Sequence, residues 1–163
     1  VNWAVFALDR GAAMRRLRCK PNERQRGFVR SYSSGVEYRV IPGRGRCVFV
    51  TRDIAEGELL IADPIILVPG DQSDFTDQTT VGRYVFQWNE DDDLCVVLGF
   101  GSLINHGLPE NVSLVSNYKD QTMEFYALHD IKAGEELVYD YGHDVDELVT
   151  YYGIPREAAE AGR

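Results

Sequence analysis

From Val36 onward, apolar residues alternate with polar ones or gather in runs of four to eight, the pattern of strands rather than helices. In "CVFVTRDIAEGELLIADPIILV", residues 47–68, two apolar stretches flank a polar turn at Glu56-Gly57 and predict strand, turn, strand. "MEFYALHDIKAGEELVYDY", residues 123–141, repeats the plan around Ala133-Gly134. Asp53-Ile54-x-x-Gly57-Glu58-x-Leu60 is echoed by Asp130-Ile131-x-x-Gly134-Glu135-x-Leu137. The echo predicts two similar hairpins, each with its glycine in the left-handed turn position.

Between the echoes, "GDQSDFTDQTTVG", residues 70–82, is polar and unpatterned, which predicts a loop or mobile insertion. "RYVFQWNEDDDLCVVLGFGSL" predicts two strands joined by an acidic turn at Glu90–Asp93, either a solvated turn or a landing site for a basic peptide. After Asp144, "DVDELVTYYGI" predicts a short helix with Asp144 as its N-cap, and "PREAAEAG" a further helical turn. Mainly β structure with short C-terminal helices is the expected class.

Composition divides the chain. Residues 1–35 carry eight Arg and Lys against two Asp and Glu, a net +6; residues 36–163 carry nine against twenty-four, a net −15. The basic segment fits an organellar presequence beginning at Met14, a basic nuclear-type arm, or a leader outside the fold. The expected organisation is an arm over 1–35, a domain over 36–143 and a helical segment over 144–163. An acidic body repels nucleic acid and attracts cations, Lys- and Arg-rich peptides among them; the alternative is that the charge mainly keeps a small protein soluble. No apolar run has the length of a membrane span. Cys19, Cys47 and Cys95 are odd in number and too scattered for a zinc site, so they read as free thiols of an intracellular protein, and no metal is expected. The Asn111-Val112-Ser113 glycosylation pattern then reads as chance.

Two tyrosines one residue apart, Tyr139 and Tyr141, would face one side of an extended segment, with Asp140 on the other. Two phenols on one wall suit a polar ligand; they are also ordinary strand composition. "GSLINHGLPENV", residues 101–112, breaks the β alternation at Asn105-His106. Taken in order, "GRGRCVFVTRDIAEGE", "GSLINHGLPEN" and "HDIKAGEELVYDYG" strongly resemble the SET domain of protein lysine methyltransferases, over about Arg39 to Gly142.

The resemblance implies small β-sheets around a knot-like core, with S-adenosyl-L-methionine as cofactor and a protein lysine as substrate, a histone tail foremost. It implies a cofactor site at Gly45, Arg46, Cys47, Asn105, His106 and Tyr141. Tyr141 is the implied catalytic tyrosine, and Tyr139 stands where the family carries Phe or Tyr, beside the lysine. A tyrosine at 139 implies mainly monomethylation, since its hydroxyl can hold a water that a growing amine must displace.

The chain departs from the family pattern in four places. Cys47 replaces the second glycine of Gly-x-Gly. Glu110 stands where proline is usual, with Pro109 one place early. Ile61-Ala62-Asp63-Pro64 lacks a frequent tyrosine. The cysteine-rich zinc-binding segment that often follows the domain has no counterpart. Tyr84 and Trp88 are then candidates for the substrate channel, with core packing an alternative for Trp88. Tyr151 and Tyr152 are either an aromatic lid or core residues of a terminal helix. A catalytically silent SET fold serving as an interaction module is the rival expectation. A nucleus or an organelle fits the basic arm.

Overall fold

The computed structural model describes residues 32–161. The basic segment expected as an arm lies outside the described residues up to position 31. Among the described residues there are ten strands and three short α-helices: β1 (Tyr32–Ser33), β2 (Val36–Ile41), β3 (Gly45–Val50), β4 (Leu59–Val68), α1 (Ser73–Asp77), β5 (Val85–Gln87), β6 (Leu94–Val97), β7 (Asn105–His106), β8 (Val112–Asn117), β9 (Thr122–Ala127), β10 (Val138–Tyr139), α2 (Val145–Thr150) and α3 (Arg156–Glu160). Five strands form a sheet in the order β5-β6-β4-β9-β8, with β1 also on β4; β2-β3 and β7-β10 form separate pairs. β1 takes part in the sheet although it precedes the expected domain start at Val36.

The echoed segments are not two hairpins. β3 pairs with β2, and β9 with β4 and β8. What the echo builds is a reciprocal contact between the two turns. Ile54 and Ile131 bridge antiparallel. The Asp53 carboxylate accepts from Ala133 N–H at 3.0 Å, and the Asp130 carboxylate accepts from Glu56 N–H at 3.0 Å. Each donor sits three residues after the other turn's aspartate, so the two copies exchange the same bond. Val50 N–H reaches Glu135 O at 3.0 Å, and Ala127 N–H reaches Glu58 O at 3.0 Å. Gly57 and Gly134 have φ of 76° and 89°, the left-handed turn the echo predicts. Ile54, Leu60, Ile131 and Leu137 are buried in one core with Phe125, Val48 and Val97.

The parallel β7-β10 pair sets Asn105 beside Val138 and His106 beside Tyr139. Asn111 completes a clasp on β10. Its Nδ2 donates to Glu136 O at 2.8 Å, its Oδ1 accepts from Val138 N–H at 2.8 Å, and its own N–H donates to Val138 O at 3.0 Å. The 136–141 segment is therefore stitched to both ends of the Asn105–Asn111 loop. The Asn111 amide is buried, with both its nitrogen and its oxygen bonded to the backbone around β10.

The 70–82 segment is not an unstructured loop. Turns of 3-10 helix at Gly70–Gln72 and Thr80–Tyr84 flank α1. Ser73, Thr76 and Thr79 hydroxyls donate back to carbonyls three or four residues earlier, giving polar side chains a helical use. Gly82 packs so closely that a Cβ there would stand 2.5 Å from the Tyr151 hydroxyl. The acidic turn after β5 supports this insertion, because Asp93 accepts from Gly70 N–H at 2.9 Å and from Asn89 Nδ2 at 3.0 Å.

Candidate active site

A cleft of about 1120 Å³ runs between β3, β7 and the segments around β5 and α2. Gly45, Arg46, Asn105 and His106 line it together with Phe86, Tyr139, Tyr141 and Tyr152, and His106 meets Tyr141 edge-on at 5.4 Å. Gly45 has φ of 78° and nothing within 4 Å of where a Cβ would be, so its backbone is open to a ligand. Cys47 lies in regular pairing with Arg39, and the positive-φ residues do not include it. Extended backbone there needs no glycine, which explains how the family's second glycine can be replaced.

The Cys47 side chain is buried and turned to Asn105. Asn105 Nδ2 lies 2.9 Å from Arg46 O, 3.2 Å from Cys47 Sγ and 3.2 Å from Glu136 Oε1. Glu136 is held in turn by Arg44, Nη1 to Oε2 at 2.9 Å. Burial, then Glu136, push the Cys47 thiol up, so it remains a neutral thiol. His106 is buried, with Nδ1 accepting from Tyr141 N–H at 3.3 Å and lying 3.6 Å from an Asp140 oxygen.

The Tyr139 and Tyr141 rings do share one side, with centroids 4.7 Å apart at 42°. Tyr139 stacks on Phe86 at 5.8 Å, and Tyr141 meets Tyr152 edge-on at 5.1 Å. The Tyr141 hydroxyl donates to Ile104 O at 3.0 Å. Burial raises both Tyr139 and Tyr141 well above the ordinary phenol value, so both are protonated at neutral pH. Tyr84 lines the cleft, its hydroxyl accepting from Arg46 Nη2 at 3.2 Å.

Trp88 is placed elsewhere. It is 5% exposed, packs edge-on to Tyr118 at 5.2 Å and lies within the core. Phe86, two residues earlier, lines the cleft and stacks on Tyr139. Tyr151 and Tyr152 follow α2 rather than lying within it, and both line the cleft.

Sequence reasoning missed three positioning residues. Asp63 is buried and accepts from Gly101 N–H at 2.8 Å, fixing the 3-10 turn Phe100–Leu103 that leads into Asn105. Glu136 orients the Asn105 amide. Asn111 clasps β10. A carboxylate inside the apolar run of residues 59–68 was the available signal for Asp63. Among the described residues no group of three or more His, Cys, Asp or Glu is arranged to hold a metal.

The SET domain family matches residues 45–142, and the chain belongs to that family. It is 29% identical over 110 residues to "Histone-lysine N-methyltransferase, H3 lysine-37 specific" of Schizosaccharomyces pombe, covering 67% of this chain and 74% of that protein. It is 29% identical over 144 residues to the histone-lysine N-methyltransferase EZH2 of Chaetomium thermophilum, covering 80% of this chain but only 9% of that protein. An active polycomb repressive complex 2 in the basal state has a TM-score of 0.58 at 26% identity, over 76% of this chain and 17% of that one. A Plasmodium falciparum histone methyltransferase candidate shares the fold, with a TM-score of 0.53 at 20% identity, over 69% of this chain and 97% of that one.

Proposed function

We propose that this chain is an S-adenosyl-L-methionine-dependent methyltransferase acting on a lysine side chain of a protein, foremost a histone tail, and adding mainly one methyl group. The observation that carries the reading is one cleft lined both by Asn105, His106 and the open backbone at Gly45 and by the aromatic rings of Phe86, Tyr139, Tyr141 and Tyr152. The names of the two relatives support a histone lysine, and the acidic body suits a basic partner. A histone substrate would place the protein in the nucleus. Among the described residues, no helix is long and apolar enough to cross a membrane.

The residues present fit the cofactor. Gly45 gives close approach, the Asn105 amide is held by Arg46 O, Cys47 Sγ and Glu136 Oε1, and Arg46 and His106 line the same cleft. When bound, S-adenosyl-L-methionine supplies an electrophilic methyl group on a sulfonium.

The chain's own task is to present a neutral amine within that cleft. A free lysine has a pKa of about 10.4, so neutralising it near pH 7 costs roughly 4–5 kcal/mol. Phe86, Tyr139, Tyr141 and Tyr152 enclose the aliphatic stem and strip water from the ammonium, which lowers that cost. Tyr141, kept as a phenol by burial and tied to Ile104 O, orients the amine rather than removing its proton. Tyr139, stacked on Phe86, sets a hydroxyl against the space a second methyl would need.

The test is incubation with methyl-labelled cofactor and recombinant histone H3 alongside a panel of other proteins, followed by mass spectrometry. Label on a lysine Nζ supports the reading. Cofactor binding without transfer to any protein would contradict it and favour an interaction module.

A further inference from the structure

The lysine ammonium must lose a proton, and the two buried phenols beside it are poor acceptors. A different chain of groups leaves the cleft. Tyr152 meets Tyr141 at 5.1 Å, and its hydroxyl lies 3.0 Å from His143 Nε2. The other ring nitrogen of His143, Nδ1, lies 3.2 Å from Glu147 Oε2. One tautomer satisfies both contacts: Nδ1–H donates to Glu147 while Nε2 accepts from the Tyr152 hydroxyl. A base needs this polarity, with the imidazole lone pair toward the cleft and a carboxylate behind it. The His143 and Glu147 side chains are 39% and 58% exposed, so a proton that reaches the imidazole is in touch with solvent.

The local sequence fixes all three groups through one short helix. Asp144 caps α2 by accepting from Glu147 N–H at 2.9 Å, and the Glu147 carboxylate reaches back to Asp144 N–H at 3.4 Å. His143 directly precedes that cap. Tyr151 closes the helix by donating its N–H to Glu147 O at 2.9 Å, and Tyr152 follows it into the cleft.

We infer that Tyr152, His143 and Glu147 form a proton relay serving the lysine channel, an inference that rests on the methyltransferase reading. The lysine N–H bond breaks as the Tyr152 oxygen takes that proton. At the same time the Tyr152 O–H proton passes to His143 Nε2. The lone pair stays on the amine, and the imidazolium, stabilised by Glu147, releases its proton to water. Histidine suits the last position because one ring nitrogen accepts a proton while the other donates to Glu147. Tyr152 is faced by Tyr151, Asp77 and Glu147 as well as His143, and Tyr141 by Tyr152 and Tyr84. Burial keeps Tyr152 a phenol, so it passes a proton on by exchange rather than by standing ionised.

The experiment is single-turnover methyl transfer to recombinant histone H3 from labelled cofactor, followed across pH for wild type, His143→Gln and Tyr152→Phe. Glutamine retains hydrogen-bonding groups toward Tyr152 and Glu147 but cannot take up a proton. The relay predicts that His143→Gln loses about a hundredfold near neutral pH. The loss closes as pH approaches the amine's own value of about 10.4, and added imidazole restores part of it. Tyr152→Phe, which keeps the ring packing, loses the same pH-dependent part. A His143→Gln enzyme equal to wild type near neutral pH, or slower by one factor at every pH, overturns the relay and leaves the methyltransferase reading standing. A wild type that binds cofactor but transfers no methyl overturns both.

Discussion

The Asn105 amide donates to the Cys47 thiol across 3.2 Å, so the residue that departs from the family pattern braces one that keeps it. Because Arg46 O and Glu136 accept from the same nitrogen, the amide is held before any ligand arrives. Such preorganisation spares the ordering cost of binding.

Removing that amide should therefore weaken cofactor binding. Asn105→Ala is expected to cost about 1–3 kcal/mol, the usual cost of leaving polar partners unmatched. Cys47→Ala leaves two of the three acceptors and should cost less than about 1 kcal/mol in affinity. Calorimetry with S-adenosyl-L-methionine on folded variants checks both values.

On the proposed reading, the Tyr139 hydroxyl limits how many methyl groups are added. Tyr139→Phe keeps the stack on Phe86 and removes only the hydroxyl. Its products should shift toward di- and trimethyl-lysine, with the first transfer retained within roughly threefold, since the stem-holding surface is unchanged. Mass spectrometry at long reaction times reads the distribution, and dominant trimethylation by wild type would remove Tyr139 from this role.

Asp63 makes stability depend on pH. Burial raises its folded-state pKa above the unfolded value, partly offset by the bond from Gly101 N–H. Its relative stabilisation is present below the unfolded pKa and is lost as pH rises through the folded value. Asp63→Asn can keep an oxygen toward Gly101 and carries no charge. The Tm of the variant relative to wild type should rise between acid and neutral pH, on the order of a few degrees. Thermal melts across that range check the sign.

The chain's N-terminal boundary is testable by truncation. Removing residues 1–31 should leave Tm and cofactor affinity little changed. Removing 1–35 also deletes β1 and Gly35, whose carbonyl accepts from Thr51 N–H at 2.8 Å, and should lower Tm. Equal melting of the two truncations would show that β1 contributes no stability.

Much of the fold was legible because it is local. Alternation placed the strands, Asp144 announced its helix, and Gly57 and Gly134 took the left-handed turns their positions required. Strand partnership was not legible: the echoed segments look like hairpins by proximity, but each turn satisfies its aspartate with the other turn's backbone. Period-two patterning says which face is apolar and nothing of which edge is paired. The 70–82 segment looked loop-like because its helical turns are held by hydroxyl-to-backbone bonds rather than an apolar stripe. In the site, Tyr139, Tyr141, Asn105 and Gly45 followed from motif order and do converge on one cleft. Phe86 was passed over for Trp88 because either residue fits the strand pattern, and only the tertiary packing puts Phe86 beside Tyr139. Asp63 and Glu136 act through Gly101 and Asn105, partners 38 and 31 residues away in sequence.

The most direct test of the account is methyl transfer to recombinant histone H3 by wild type and Tyr141→Phe, compared alongside cofactor affinity. Phenylalanine preserves the ring between Tyr139 and Tyr152 and removes the hydroxyl now bound to Ile104 O. The account predicts labelled lysine with wild type, turnover lower by on the order of a hundredfold in the variant, and cofactor affinity within about threefold. Equal turnover by the two proteins would contradict the assignment of the cleft as the catalytic site.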